Sequence, residues 1–204
     1  MGAEVNDLFG ADDASTPLTP EEQRDLLPSY IATRAELNEA EQQNILAAQS
    51  WAYGLRRPDP FDEKWLKRLH RRMFEQVWSW AGRYRTTPRN IGVDPWQIAP
   101  QMRIFLDDAR FWVKHATYSP DELAIRFHHR LVYIHPFANG NGRHARLAAD
   151  VLIVQLGGER FDWGQATLVD AGEARSRYIQ ALQEADRGRI EALVRFARSG
   201  AGET

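Results

Sequence analysis

Apolar residues recur at helical spacing through most of the chain. Leu123, Phe127, Leu131 and Ile134 follow at intervals of three and four, which predicts one buried helix face. Just ahead, Ser119, Pro120 and Glu122 supply the N-cap, first-turn proline and N3 acid of a helix start. Residues 147–156 are apolar nearly all round, the pattern of a central helix, and Gly157-Gly158 stop it. Upstream, Pro20 opens a short helix that Pro28 ends, and a longer helix over 35–53 directs Ile45, Leu46, Ala48 and Trp51 inward. After the turn at Pro58-Asp59-Pro60, the next helix carries Trp65, Leu66, Leu69, Met73, Phe74 and Val77. A helix over 100–115 has Ile104, Phe105, Ala109 and Val113 as its stripe, and two more over 171–185 and 189–198 close the domain. Only 84–98 is strand-like. Pro88, Gly92 and Pro95 interrupt it, so it reads as a hairpin or an irregular flap. The predicted class is all-α with one small β-hairpin flap.

Composition narrows the picture. A chain of 204 residues suits one domain with a sizeable core. There is no cysteine, which excludes disulfides, thiolate catalysis and Cys-ligated zinc. A net charge of −2 leaves no basic footprint for bulk nucleic-acid or membrane attraction. No apolar run reaches membrane-spanning length, and the first residues lack the basic and apolar regions of a secretory leader, so a cytoplasmic location is expected. Residues 1–18, small and polar, read as a flexible arm. His128 and His129 read as helix-surface residues rather than a zinc site, which needs three or four convergent ligands.

The chemistry gathers at His135-Pro136-Phe137-Ala138-Asn139-Gly140-Asn141-Gly142-Arg143, with Arg146 three residues on. Pro136 disfavours helical geometry at His135, so that histidine ends a rigid element. Gly140-Asn141-Gly142 permits a tight turn that feeds the N-terminus of the central helix. Free amides and the positive dipole end there make an anion site. Arg143 and Arg146 are neighbours on one face of that helix.

This stretch resembles the signature of the Fic (Fido) family, H-P-F-x-[D/E]-G-N-G-R-x-x-R, with Asn139 where the family has an acid. Trp80-Ala81-Gly82-Arg83-Tyr84-Arg85 is similar to the segment that opens the Fic flap, and residues 33–44 resemble the subgroup called mobile mystery protein B. The resemblance implies N-terminal helices over 19–56, including a candidate inhibitory helix, and a catalytic core over 57–198. It implies transfer of AMP from ATP to a Ser, Thr or Tyr hydroxyl of a target protein, with His135 as general base. Gly140, Asn141 and Gly142 would hold the phosphates through their amides, Arg143 and Arg146 would pair with them, and Phe137 would anchor the loop. The family's acid holds Mg²⁺; a neutral amide at Asn139 weakens that ligand, so Mg²⁺ binding and the rate of transfer are both put in question. Ile91, Gly92 and Val93 would present the flap that holds the target by strand addition.

Family members are often restrained by a glutamate in [S/T]-x-x-x-E-[G/N], paired with the second arginine, here Arg146. The nearest candidate is Glu36, one position out of register, with Glu39 behind it. Asp150, four residues after Arg146, is a second candidate partner for it. Two alternatives stay open. One is a phosphotransferase of the Doc kind, whose loop has a lysine where this chain has Gly142. The other is a nucleotide-binding module weakened by Asn139. Likeness to the subgroup also implies a helix-turn-helix, antitoxin-like partner.

Overall fold

A computed structural model describes residues 20–164 and 171–199. The expected N-terminal arm lies outside them. The described residues form eight α-helices: α1 (Pro20–Asp25), α2 (Arg34–Gly54), α3 (Glu63–Phe74), α4 (Ile98–Lys114), α5 (Pro120–Ile134), α6 (Asn141–Gln155), α7 (Ala171–Asp186) and α8 (Glu191–Ala197). The all-α class holds.

Helix α6 is the centre, packed against α2, α3 and α5. It buries Leu147, Ala148, Val151, Leu152 and Ile153. The inward stripe of α5 meets it, with Leu123, Phe127, Leu131 and Ile134 at 2% exposure or less. Each such Leu, Ile or Phe contributes about 1.5–3 kcal/mol, so this pair forms a stiff base for the loop between them. Ser119 caps α5 by accepting from the Glu122 amide, with Pro120 in the first turn, as the spacing predicts.

Three expectations need correction. Helix α2 buries Leu37, Glu41, Asn44, Ala48 and Ala52, while Leu46 is 52% exposed. Apart from Leu37 its inward face is small or polar, with Glu41 turned toward Arg143, so the apolar count mis-set the stripe by part of a turn. In α4 the buried residues are Ile98, Met102, Phe105, Leu106 and Ala109, leaving Ile104 and Val113 outward. His128 is fully buried rather than on the surface, with Nε2 3.0 Å from the Tyr178 hydroxyl.

The segment over 84–98 forms no hairpin; the irregular reading holds. Its only ladder element is an isolated antiparallel bridge between Tyr84 and Phe137, and a 3-10 turn (Pro95–Gln97) then leads into α4. Pro88 and Pro95 withhold ladder donors, and Gly92 sits at φ +92°, so regular pairing cannot propagate.

Candidate active site

The site is the loop joining α5 to α6. His135 caps α5 in the left-handed region (φ 53°), its amide still bonded to Leu131 O at 3.1 Å. Gly140 opens α6 at φ +73°, and a Cβ there would lie 2.3 Å from the Phe74 ring. Only glycine fits so close an approach. No side chain caps α6 at Gly140, so no cap takes up the first-turn amides that an anion cradle uses.

The loop between these ends is held from several sides. The Asn141 side chain accepts from the Phe137 amide at 2.9 Å and donates to the Phe137 carbonyl at 3.0 Å. Phe137 is 1% exposed, its ring stacked 3.7 Å from His70. His70 is itself fully buried. Gly82 N donates to its Nδ1 at 3.0 Å, so its Nε2 carries the proton and donates to Asn139 O, also at 3.0 Å. One imidazole thereby joins the loop to Gly82, just ahead of the irregular segment over 84–98.

Asn139 turns its side-chain oxygen back to the Gly140 amide. That engages one of the expected cradle donors. The loop's side chains offer a dication only the neutral amide oxygens of Asn139 and Asn141, both already bonded, and no group of three His, Cys, Asp or Glu ligands occurs among the described residues. This donor set does not fit a resident Mg²⁺.

His135 is half-buried, with Nδ1 sealed from solvent. Burial, reinforced by the Arg85 guanidinium and, less, by Arg89, lowers its pKa to about 4, against an opposing backbone hydrogen bond at Val132. The ring is neutral near pH 7, the state a base requires.

Arg143 does not point to open solvent. Its Nη1 lies 2.6 Å from Glu41 Oε2, and the other Glu41 oxygen accepts from Trp78 Nε1 at 2.5 Å. The Glu41 side chain is 5% exposed. Glu36, the sequence candidate for restraint, is elsewhere. It is the exposed N3 acid of the α2 capping box, accepting from the Ala32 and Thr33 amides at 2.8 and 3.0 Å. The carboxylate that reaches the motif lies five residues, about one and a half turns, further along.

Arg146 lies over Tyr178, 5.9 Å from its ring, and burial works against its charge. Asp150 accepts from Phe161 N and Trp163 Nε1, both beyond the end of α6. Ile91 is 39% exposed while Val93 turns inward, its amide on Ile134 O at 3.3 Å.

Sequence reasoning missed His70, Arg85 and Glu41. Arg85 is 5% exposed and donates to the carbonyls of His135, Thr87 and Val93. The available signal for Glu41 was its place, with Asn44, between Leu37 and Ala48 at helical spacing on one face.

Residues 60–153 match the model described as Fic/DOC family. The chain is 32% identical over 123 residues to "Protein adenylyltransferase Fic" of Nematostella vectensis, covering 57% of this chain and 26% of that protein. It is 31% identical over 123 residues to "Protein adenylyltransferase fic-1" of Caenorhabditis elegans, covering 57% of this chain and 22% of that one. The chain thus spans about a quarter of the length of these curated relatives. Among solved structures, BepC of Bartonella tribocorum, crystallised with bound AMPPNP, superposes with a TM-score of 0.66 at 20% identity, covering 98% of this chain and 97% of that one. That likeness shows a shared fold.

Proposed function

We propose, from the match of residues 60–153 to the Fic/DOC family model, that this chain is a protein adenylyltransferase. It moves AMP from ATP to a Ser, Thr or Tyr hydroxyl of a target protein. The observation that carries this reading is a neutral imidazole at the exit of α5 beside an uncapped helix N-terminus and the guanidinium of Arg143.

In the proposed step the target hydroxyl oxygen attacks the α-phosphorus. The bond from that phosphorus to the β-bridging oxygen breaks, and pyrophosphate leaves. His135 accepts the hydroxyl proton; with Nδ1 sealed, Nε2 is the nitrogen that takes it. A ring with a pKa of about 4 is a weak base, but bound phosphate supplies negative charge beside it and favours the imidazolium. The nucleotide thus tunes its own base. The amides of Gly140, Asn141 and Gly142 hold charge on the phosphates, and Arg143 and Arg146 stabilise the leaving group. No step is routed through a metal. Ile91, Gly92 and Val93 border the groove for the target segment.

Arg143 must exchange Glu41 for phosphate, so Glu41 takes the restraining role first expected of Glu36. The engagement of the Gly140 amide by Asn139 favours a second reading, a nucleotide-binding module with slow transfer. A Doc-like γ-phosphate transfer and a helix-turn-helix partner remain subordinate proposals.

The test is incubation with ATP labelled separately at the α and γ positions, read by mass spectrometry, with His135→Ala as control. Added AMP mass carrying only the α label, absent from the control, is expected. Transfer of the γ label alone identifies the Doc-like reaction, and AMP addition that persists in the control removes His135 as base.

A further inference from the structure

We infer that Arg85 is the positioning residue that locks the base and the arch above it into one unit. Its Nε donates to His135 O at 2.7 Å, Nη1 to Thr87 O at 3.0 Å, and Nη2 to Val93 O. Its backbone amide donates to Pro136 O at 2.9 Å. Residues 85–93 therefore leave the motif loop at Pro136, arch outward, and return at Val93, with one guanidinium filling the span.

The return leg is seated on the histidine. A Cβ at Gly92 would lie 2.4 Å from His135 Cβ and 2.9 Å from Arg85 Nη2. His135 itself adopts φ 53°, a region that a non-glycine residue holds only when its surroundings impose it. The bond from Arg85 to the His135 carbonyl is one such constraint. A guanidinium suits this place because its planar fork presents several donors in fixed directions; a lysine ammonium cannot span three carbonyls at these angles. Any target segment lying along the arch therefore bears on His135 through Arg85. The charged groups facing the ring are Arg85 and Arg89, both on the arch, with the backbone hydrogen bond at Val132 on α5 opposing them.

This inference rests on the adenylyl-transfer reading for its catalytic meaning, but its geometry can be tested without activity. Arg85→Lys keeps the charge and loses the span. Arg85→Gln loses the charge and keeps partial donor capacity. Folding is checked by thermal melting, the His135 imidazole is titrated by NMR, and nucleotide affinity is measured by calorimetry with a non-hydrolysable ATP analogue. Expected for Arg85→Lys is a fall in kcat of about 10²-fold, from a base displaced by roughly 1 Å, with nucleotide affinity retained. Expected for Arg85→Gln is a rise of about one pH unit in the His135 midpoint, since a like charge has been removed; Arg85→Lys leaves it near the wild-type value. Wild-type kcat in Arg85→Lys, an unmoved midpoint in Arg85→Gln, or a loss of nucleotide affinity equal to the loss in kcat would overturn it. If the wild-type chain transfers no AMP, the function assigned above fails, while the midpoints still decide the place of Arg85.

Discussion

Replacing Glu41 by Gln should tighten nucleotide binding. The wild-type carboxylate bridges Arg143 at 2.6 Å and Trp78 at 2.5 Å. Glutamine keeps an oxygen for the buried indole but turns an amide NH₂ toward the guanidinium, so the ion pair is lost with little change of volume. A charge-assisted hydrogen bond contributes about 1.5–3 kcal/mol. The Arg143 side chain is 20% exposed, so the lower part of that range, about 1.5–2 kcal/mol, is appropriate. At about 1.4 kcal/mol per tenfold, triphosphate affinity should rise about 10–30-fold. Calorimetry with a non-hydrolysable ATP analogue reads this directly. Glu36→Gln is the control: that residue caps α2 in solvent, and its loss should leave affinity unchanged. A change under about threefold for Glu41→Gln, or an equal gain for Glu36→Gln, refutes the idea that Glu41 competes with phosphate for Arg143.

Other outcomes follow from the same contacts. Acid should destabilise the fold steeply. His70, His128, His135 and His144 are all held below the ordinary imidazole range, chiefly by burial. Each favours the fold when neutral, so that stability is present above about pH 6.5 and is lost as pH falls below it, through about 4 for His135 and His144. Asp150, pushed up to about 7 by burial, has the opposite sign: its contribution is present in acid and is lost as pH rises toward 7. Four groups against one leave a net slope of at most about 4 kcal/mol per pH unit; denaturant melts at pH 7 and pH 5 that coincide would contradict it. Gly140→Ala combines a left-handed φ with a 2.3 Å clash on Phe74, and should cost about 2–4 kcal/mol by thermal melting while abolishing nucleotide binding. His70→Ala removes the anchors of Asn139 O and Gly82 N and the stack on Phe137. A loss of about 3 kcal/mol is expected, and a melting temperature within a degree or two of wild type would deny His70 its joining role.

Local order was legible along the chain. The Ser119-Pro120-Glu122 start, the arrest at His135, the glycine entry to α6 and its apolar circumference each depend on residues within a few positions of one another. Local backbone preference and helical period therefore suffice to read them. The motif residues were found for the same reason, since His135 through Arg146 form one contiguous stretch. The inward face of α2 and the carboxylate that meets Arg143 were not legible. A stripe of small and polar residues has the signature of a solvated face until the partner it borders is known. Glu41 meets Arg143 across 102 positions, Arg85 meets His135 across 50, and His70 meets Asn139 across 69. Periodicity determines which way a side chain leaves its own helix, and so the sequence settled the class and the loop that carries His135. Which buried charge answers which is set by the docking of α2, α3 and the arch around α6. That was decided only in three dimensions, because desolvated polar groups must find partners wherever packing places them.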